Sequence, residues 1–475
     1  MKEVQAIAVG VDGLTKELID NNRSNLPNLN YLLKRGRTCS LKSVIPVLSP
    51  PAWVSLVTGV NPGKHGIYDF QHFNTRRIIS ALDIRFETLW HRLTQANLKS
   101  IVLNVPVTYP PPNINGIMVS GLLTPSLECK FTTPPELRRR ILSQGYRIGI
   151  EPQRMFELYA NNSYKQTLSL LGAVETNRTD IFRDLLRIEN WNFAMIVFQE
   201  LDKIQHFFFG ENRIIKHAYQ IYDKLIGRIL EICERKGLYL LVFSDHGFQA
   251  VKNYVFVNRI LEQEKILSVN KDNFWEYGAA FFDKVSNRWK SIIAKAVKAT
   301  NTTLKSKILS RLTGTKQIDS ARSEIVGGFS TGPHVPLTIV SRNREKAKRK
   351  IIDLFLEMKD HGKRVVDKIY SKQEIYWGPF TNLAPDLVLA LRKGYIGHPS
   401  VRDFLPDFAE VEEVPIWMRR YGDHDERAMF IAYHPNETLP SIDKNDKASI
   451  FDIAPTVYKI FGLNRGPQLD GNSLL

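Results

Sequence analysis

Asp12, Asp202, His206, Asp245, His246 and His424 are the residues of this chain best suited to chemistry, because each stands beside a short apolar run. Asp12 ends Ala6-Ile7-Ala8-Val9-Gly10-Val11. Asp202 and His206 follow Phe193-Ala194-Met195-Ile196-Val197-Phe198 after only Gln199-Glu200-Leu201. Asp245 and His246 follow Tyr239-Leu240-Leu241-Val242-Phe243-Ser244, and His424 just precedes Ala428-Met429-Phe430-Ile431-Ala432-Tyr433. Carboxylates and neutral imidazoles gathered at one place suit a divalent cation; they are typical zinc ligands and do not exclude manganese. Taken singly, each has a plain structural reading. An Asp after a strand commonly caps a helix or makes a turn, and an Asp and a His four apart share a helix face without binding anything. Adjacent Asp245 and His246, leaving a buried strand, have less packing purpose. His65 and His334 read as loop or supporting groups outside the set.

Runs this short, bounded and rich in β-branched or aromatic residues read as strands buried on both faces. In open α/β sheets ligands bind beyond the carboxyl ends of the strands. Asp12, Asp202 and Asp245 can therefore meet at one sheet edge although they are far apart in the chain. Residues 1–250 alternate such runs with helical patterns, which predicts a mostly parallel sheet with helices on both faces. Residues 251–335 read as a basic insert or cap, and 336–475 as a smaller subdomain that returns to the core. In that last part Pro336–Val340 and Pro385–Leu391 read as strands, with a helical stretch from Arg344 to Lys363 between them.

Ser49 lies in Val47-Leu48-Ser49-Pro50-Pro51-Ala52-Trp53-Val54-Ser55-Leu56-Val57-Thr58-Gly59, followed by Asn61-Pro62-Gly63-Lys64-His65-Gly66. This segment resembles the nucleophile segment of the alkaline phosphatase superfamily, in the branch of type I phosphodiesterases and nucleotide pyrophosphatases. The acids and histidines above follow in the order that branch uses. Ile450-Phe451-Asp452-Ile453-Ala454-Pro455-Thr456-Val457 through Asp470-Gly471 is similar to its closing helix and loop. The resemblance implies an alkaline-phosphatase-like three-layer α/β sandwich with a smaller inserted subdomain. It implies two divalent cations, zinc first and manganese second. Asp12, Asp245, His246 and the Ser49 oxygen would hold one, and Asp202, His206 and His424 the other. It further implies hydrolysis of a phosphodiester or phosphoanhydride through a phosphoseryl intermediate on Ser49.

One departure from relatives matters. Many members carry an Asn shortly after the His-Gly-Ile motif, where this chain has Phe70; Asn74 is the nearest amide and becomes the candidate phosphate contact. Sulfatases, which share the core, need an Arg where Trp53 stands, so that reading is disfavoured. The alternatives are a phosphomutase or phosphotransferase of the same superfamily, and a noncatalytic, metal-containing binder of a phosphorylated glycan or lipid.

The 475 residues, 43% hydrophobic and 24% charged, are those of a globular chain with a substantial core. Three scattered cysteines without a CxxC argue against disulfide stapling and a thiolate metal site. The first residues enter a strand at once, and no apolar run reaches the roughly 18 residues of a membrane span. These features predict a cytoplasmic protein. A net charge of +16 favours anionic partners: a phosphate-bearing small molecule, or a lipid or glycan phosphate. No dedicated nucleic-acid motif is present. From Lys284 to Lys316 nine Lys and Arg occur without an acid, with Trp289 on an apolar stripe. This predicts a solvated helix, or peripheral contact with an anionic membrane.

Overall fold

Ala6–Val11 forms β1, with every residue buried, inside an eight-stranded sheet. In chain order the strands are β1, β2 (Arg37–Lys42), β3 (Ser100–Val105), β4 (Gly116–Ser120), β5 (Thr132–Thr133), β6 (Phe193–Phe198), β7 (Tyr239–Phe243) and a last strand, Arg427–Tyr433. In space the order is β2, Arg427–Tyr433, β7, β1, β6, β3, β4, β5. β7, β1, β6, β3 and β4 run parallel. Arg427–Tyr433 is antiparallel to both its neighbours, and β5 is antiparallel to β4. The structure is a computed structural model; it describes residues 4–475 apart from 74, 271–316, 329, 402–404, 440–447, 465 and 467.

The three strands that precede the acids, β7, β1 and β6, are direct neighbours. Their registers run Ala6 to Phe193 through Val11 to Phe198, and Ala6 to Tyr239 through Gly10 to Phe243. All three therefore end at one level, and the chain leaves each of them at the same sheet edge.

Alternation along β1 divides the core in two. Ile7, Val9 and Val11 join one apolar cluster with residues of the helices Pro27–Arg35, Tyr164–Ile188 and Asn212–Lys236. Ala6 and Ala8 join the other, with Ala52, Trp53 and Leu56 of the helix Ser49–Thr58, Trp90 of Leu89–Gln95 and Val457 of Ile453–Ile460. A two-residue period on a strand requires this split, and it produces three layers: helices, sheet, helices. The fold is the three-layer α/β sandwich, mostly parallel with helices on both faces, expected from the sequence.

A second, four-stranded antiparallel sheet takes Ile325–Gly327, His334–Ile339, Leu387–Leu391 and Val366–Ser371 in that order. The helix Arg344–Glu357 covers it through Ala347, Ile351 and Phe355, spaced four apart. That helix is shorter than the predicted Arg344 to Lys363. Lys359–Asp360 and Lys363–Arg364 instead pair as a hairpin, turning at His361 (φ +46°) and Gly362 (φ +77°). Positive φ at both turn positions belongs to the two-residue turns that tight hairpins favour. The basic stretch 284–316 lies outside the described residues, as does Asn74. No helix among the described residues is long and apolar enough to cross a membrane.

Candidate active site

Ser49 is the first residue of the helix Ser49–Thr58, entered from extended Leu48 and closed by Gly59 in the left-handed conformation. Proline fits the first turn of a helix because the amide it lacks has no partner within the helix there. With Pro50 and Pro51 following, Ser49 is the residue at this helix start that keeps an N–H, and that N–H and the helix dipole favour an anion. His65 braces the same helix from inside the protein. Its Nε2 lies 2.8 Å from Ser55 Oγ, and its Nδ1 accepts from the Ile67 amide at 3.1 Å. Burial pushes the His65 imidazole down to about 3, so it is neutral at ordinary pH. One turn from Ser49, Trp53 donates its indole N–H to Asp12 Oδ2 at 3.1 Å. The indole passes over Gly10, where any Cβ would collide with the ring. The glycine in β1 and the tryptophan in the helix thus serve one contact.

At the carboxyl edge of the sheet the predicted ligands form two clusters, Asp12, Asp245 and His246, and Asp202, His206 and His424. Asp202 and His206 share one face of the helix Glu200–Phe208. His424 arrives on a two-stranded ladder in which Gly422–Asp425 pairs with Gly247–Ala250, placing His424 opposite Phe248 and near His246. The His246 and His424 rings stack with centroids 3.8 Å apart, so the clusters adjoin.

In the second cluster His424 Nε2 lies 3.2 Å from Asp202 Oδ1 and 3.2 Å from His206 Nε2, and His206 Nε2 lies 3.4 Å from Asp202 Oδ1. In the first, His246 Nε2 lies 3.4 Å from Asp12 Oδ1, 3.2 Å from Asp245 Oδ2 and 3.4 Å from Ser49 Oγ. A tetrahedral cation with bonds of about 2.0–2.1 Å holds its ligand atoms about 3.3 Å apart. The second cluster has that spacing throughout, and in the first His246 Nε2 has it to both carboxylates and to Ser49 Oγ. The imidazoles are oriented to match: Nδ1 of His206 lies 2.9 Å from Gly422 O, that of His424 2.8 Å from Val47 O, and that of His246 3.2 Å from Gly247 O. Each Nδ1–H donates to a carbonyl, which turns an Nε2 lone pair toward the centre, as metal-bound histidines require. Asp12 Oδ1 and Asp245 Oδ2 are buried and accept no hydrogen bond among the described residues. These residues fit two cations.

The electrostatics of the bare cluster agree. Burial, followed by the charges of Asp245 and Asp202, raises the Asp12 carboxyl well above its usual range. Burial and the charge of Asp202 do the same to Asp245. Burial also opposes ionisation of Asp202, but His206 and His424 outweigh it and hold that carboxyl well below its usual range. Burial and the neighbouring His424 push His246 down. His424 rises to about 9 in spite of burial, through its hydrogen bond to Asp202 and the charge of Asp423. Such crowding of acids is costly without a positive charge among them.

The groups that orient the ligands were not legible in the sequence. Gln205 bridges Tyr219 and the Gly13 carbonyl, with Nε2 2.9 Å from Gly13 O. Gly13, at φ +71°, leaves room for Phe248; a Cβ there would stand 2.6 Å from its ring. In the sequence Trp53 stands out only as the residue where sulfatases need an arginine. His334 stays outside both clusters, with Nε2 3.4 Å from Glu426 Oε1. Replacing a group that holds a metal ligand typically lowers metal affinity 10- to 100-fold. For Trp53→Phe, which keeps the ring and removes the N–H, zinc titration is expected to show a loss of about that size at one site only. An unchanged affinity would make the indole contact mere packing.

Comparisons with known proteins identify the fold and the family. No curated protein matches the chain. Among solved structures, phosphonoacetate hydrolase from Sinorhizobium meliloti in complex with phosphonoformate superposes with a TM-score of 0.61 at 14% identity, over 96% of this chain and 95% of that one. An inactive form of murine ectonucleotide pyrophosphatase/phosphodiesterase 5 in complex with AMP gives 0.56 at 14% identity, over 99% and 97%. The human form of the latter gives 0.56 at 12%, with the same coverage. Likeness at such identity establishes the fold. The family pattern of type I phosphodiesterases and nucleotide pyrophosphatases matches residues 6–396, a stretch that ends before His424. The chain belongs to the type I phosphodiesterase/nucleotide pyrophosphatase family, a metal-dependent branch of the alkaline phosphatase superfamily that points to phosphoester hydrolysis.

Proposed function

We propose that this protein hydrolyses a phosphodiester or phosphoanhydride through a phosphoseryl intermediate on Ser49. The observation that carries the reading is the pair of clusters, each with its histidine Nε2 3.2–3.4 Å from its carboxylates, with Ser49 Oγ at the same spacing from His246 Nε2. Two divalent cations held there, zinc by the tetrahedral spacing, would supply the positive charge that phosphoryl transfer mainly requires and would lower the pKa of the Ser49 hydroxyl. Ser49 Oγ stands 3.4 Å from His246 Nε2 of the first cluster, and its proton passes to solvent as the oxygen is activated on that side. Oγ bonds to phosphorus as the ester bond opposite breaks, and the leaving oxygen departs toward Asp202, His206 and His424. Water then cleaves the phosphoseryl ester and restores the hydroxyl. The Ser49 amide at the helix start faces the anion throughout.

The solved relatives support a phosphate or phosphonate substrate: one is bound to phosphonoformate and another to AMP. The test is turnover of bis-p-nitrophenyl phosphate and p-nitrophenyl phosphate with added zinc or manganese. Faster cleavage of the diester, abolished by chelator and restored by metal, is the expected result. Absence of turnover of both by protein with two metals bound would favour the mutase or the binder.

A further inference from the structure

Two buried polar groups without partners, on Asp69 and Tyr376, lie where the core meets the loops of the second sheet, and the site assigned above uses neither. Asp69, just after the His65-Gly66 turn, is 2% exposed. Its Oδ1 accepts from Ser330 Oγ at 2.6 Å and from the Phe70 amide at 2.6 Å. Its Oδ2 is buried and accepts no hydrogen bond among the described residues. Arg76, beyond the turn of the same loop, offsets part of the charge without donating to that atom. Tyr376, 3% exposed, also has a buried hydroxyl with no partner among the described residues. Its ring stands edge-on to that of Tyr68, with centroids 4.9 Å apart, and Tyr68 is the chain neighbour of Asp69. The Tyr68 hydroxyl is already committed to Phe380 O at 2.8 Å. Burial raises both the Asp69 carboxyl and the Tyr376 hydroxyl above their usual ranges, and the charges of Tyr68 and Asp69 add to the rise at Tyr376.

The seam borders the metal clusters. Two residues after Ser330, a Cβ placed on Gly332 would stand 3.9 Å from Asp423 Oδ1, and Asp423 adjoins His424. Two residues of chain span at most about 7 Å. The segment that braces Asp69 through Ser330 therefore passes close to the strand that carries His424.

A buried carboxylate oxygen and a buried hydroxyl, each without a partner, are costly unless something donates to the first and pairs with the second. A vicinal diol does both. We propose that Asp69 and Tyr376 form a recognition pocket for a hydroxyl-bearing substituent of the phosphate, of the polyol or sugar class. This rests on the phosphodiesterase reading above. One ligand O–H donates to Asp69 Oδ2 and a neighbouring one pairs with Tyr376 Oη; an alkyl substituent leaves both unpaired.

The test compares p-nitrophenyl glyceryl phosphate with p-nitrophenyl propyl phosphate in the metal-loaded full chain. Both esters release the same phenol. Wild type is expected to favour the glyceryl ester in kcat/KM by about 10- to 100-fold, the size of one hydrogen bond to a charged group. Asp69→Asn keeps the shape that braces Ser330, and Tyr376→Phe does not touch Ser330; each is expected to bring the ratio toward one. Calorimetric binding of the same two esters to Ser49→Ala protein reads the preference without turnover. A wild-type ratio near one, or a preference that both substitutions leave intact, overturns the pocket and makes a buried water the partner of Asp69. Loss of turnover of both esters with the binding preference preserved overturns the phosphodiesterase reading and leaves the pocket standing.

Discussion

Ser49→Ala is expected to lose at least about 10³-fold in kcat on a diester substrate while both cations stay bound. Removing a covalent nucleophile typically costs this much or more, and the residual rate reflects the charge and positioning that remain. Ser49 offers only its oxygen to the first cluster, whereas Asp12, Asp245 and His246 remain to hold the cation. The substitution also leaves the helix start intact. Leu48 is the residue before the helix, no side chain caps it, and Pro50 and Pro51 still set the first turn. Metal content by elemental analysis, melting temperature and turnover should therefore separate, with only the last collapsing. A variant that retains even a tenth of wild-type activity would mean that water attacks directly and that no phosphoserine forms. Quenching wild type during turnover and finding phosphate on the peptide that carries Ser49 would be the positive counterpart.

Asp245→Ala is expected to remove one cation of two, and activity with it. Asp245 belongs to the first cluster alone; the second uses Asp202, His206 and His424 and shares no residue with it. Elemental analysis should fall from two metals per chain to one, and a mutant that keeps both would refute the assignment. The isosteric Asp245→Asn adds a stability test of opposite sign. Without metal, Asp245 is a fully buried carboxyl whose pKa is raised by burial and by Asp202. A carboxyl with a raised folded-state pKa favours the fold below its unfolded value, near 4, and loses that contribution as pH rises through the folded value. Metal-free Asp245→Asn should therefore melt above metal-free wild type, by a margin that widens with rising pH. Adding zinc should reverse the order, because a cation at 1,000 times its Kd stabilises its site by about 4 kcal/mol. Equal melting of the two metal-free proteins across pH would show that Asp245 carries no buried charge.

Much of the site was readable from the chain because its parts obey local rules. Asp12, Asp202 and Asp245 each follow a run apolar enough to be a doubly buried strand, and the strands β1, β6 and β7 are all present. The i, i+4 spacing of Asp202 and His206 placed them on one helix face, where they lie. The carbonyls of Val47, Gly247 and Gly422, which turn the three imidazoles, left no trace, because a backbone acceptor has no residue type. The indole of Trp53 on Asp12 was missed for a related reason: the residues are 41 apart, and only the passage of the helix over Gly10 brings them together. Asp69 and Tyr376, 307 positions apart, were invisible as a pair.

By itself the sequence determined which side chains could bind cations, which hydroxyl could attack, and that the elements bearing them alternate as a layered α/β sheet, since periodicity and residue chemistry are local properties. Tertiary structure alone decided that β7, β1 and β6 are adjacent and level, that the His424 ladder stacks against His246, and that six ligand atoms gather into two clusters with each Nε2 3.2–3.4 Å from its carboxylates. The physical reason is that strand order and register follow from burying both faces of the whole sheet at once. No single segment contains that condition.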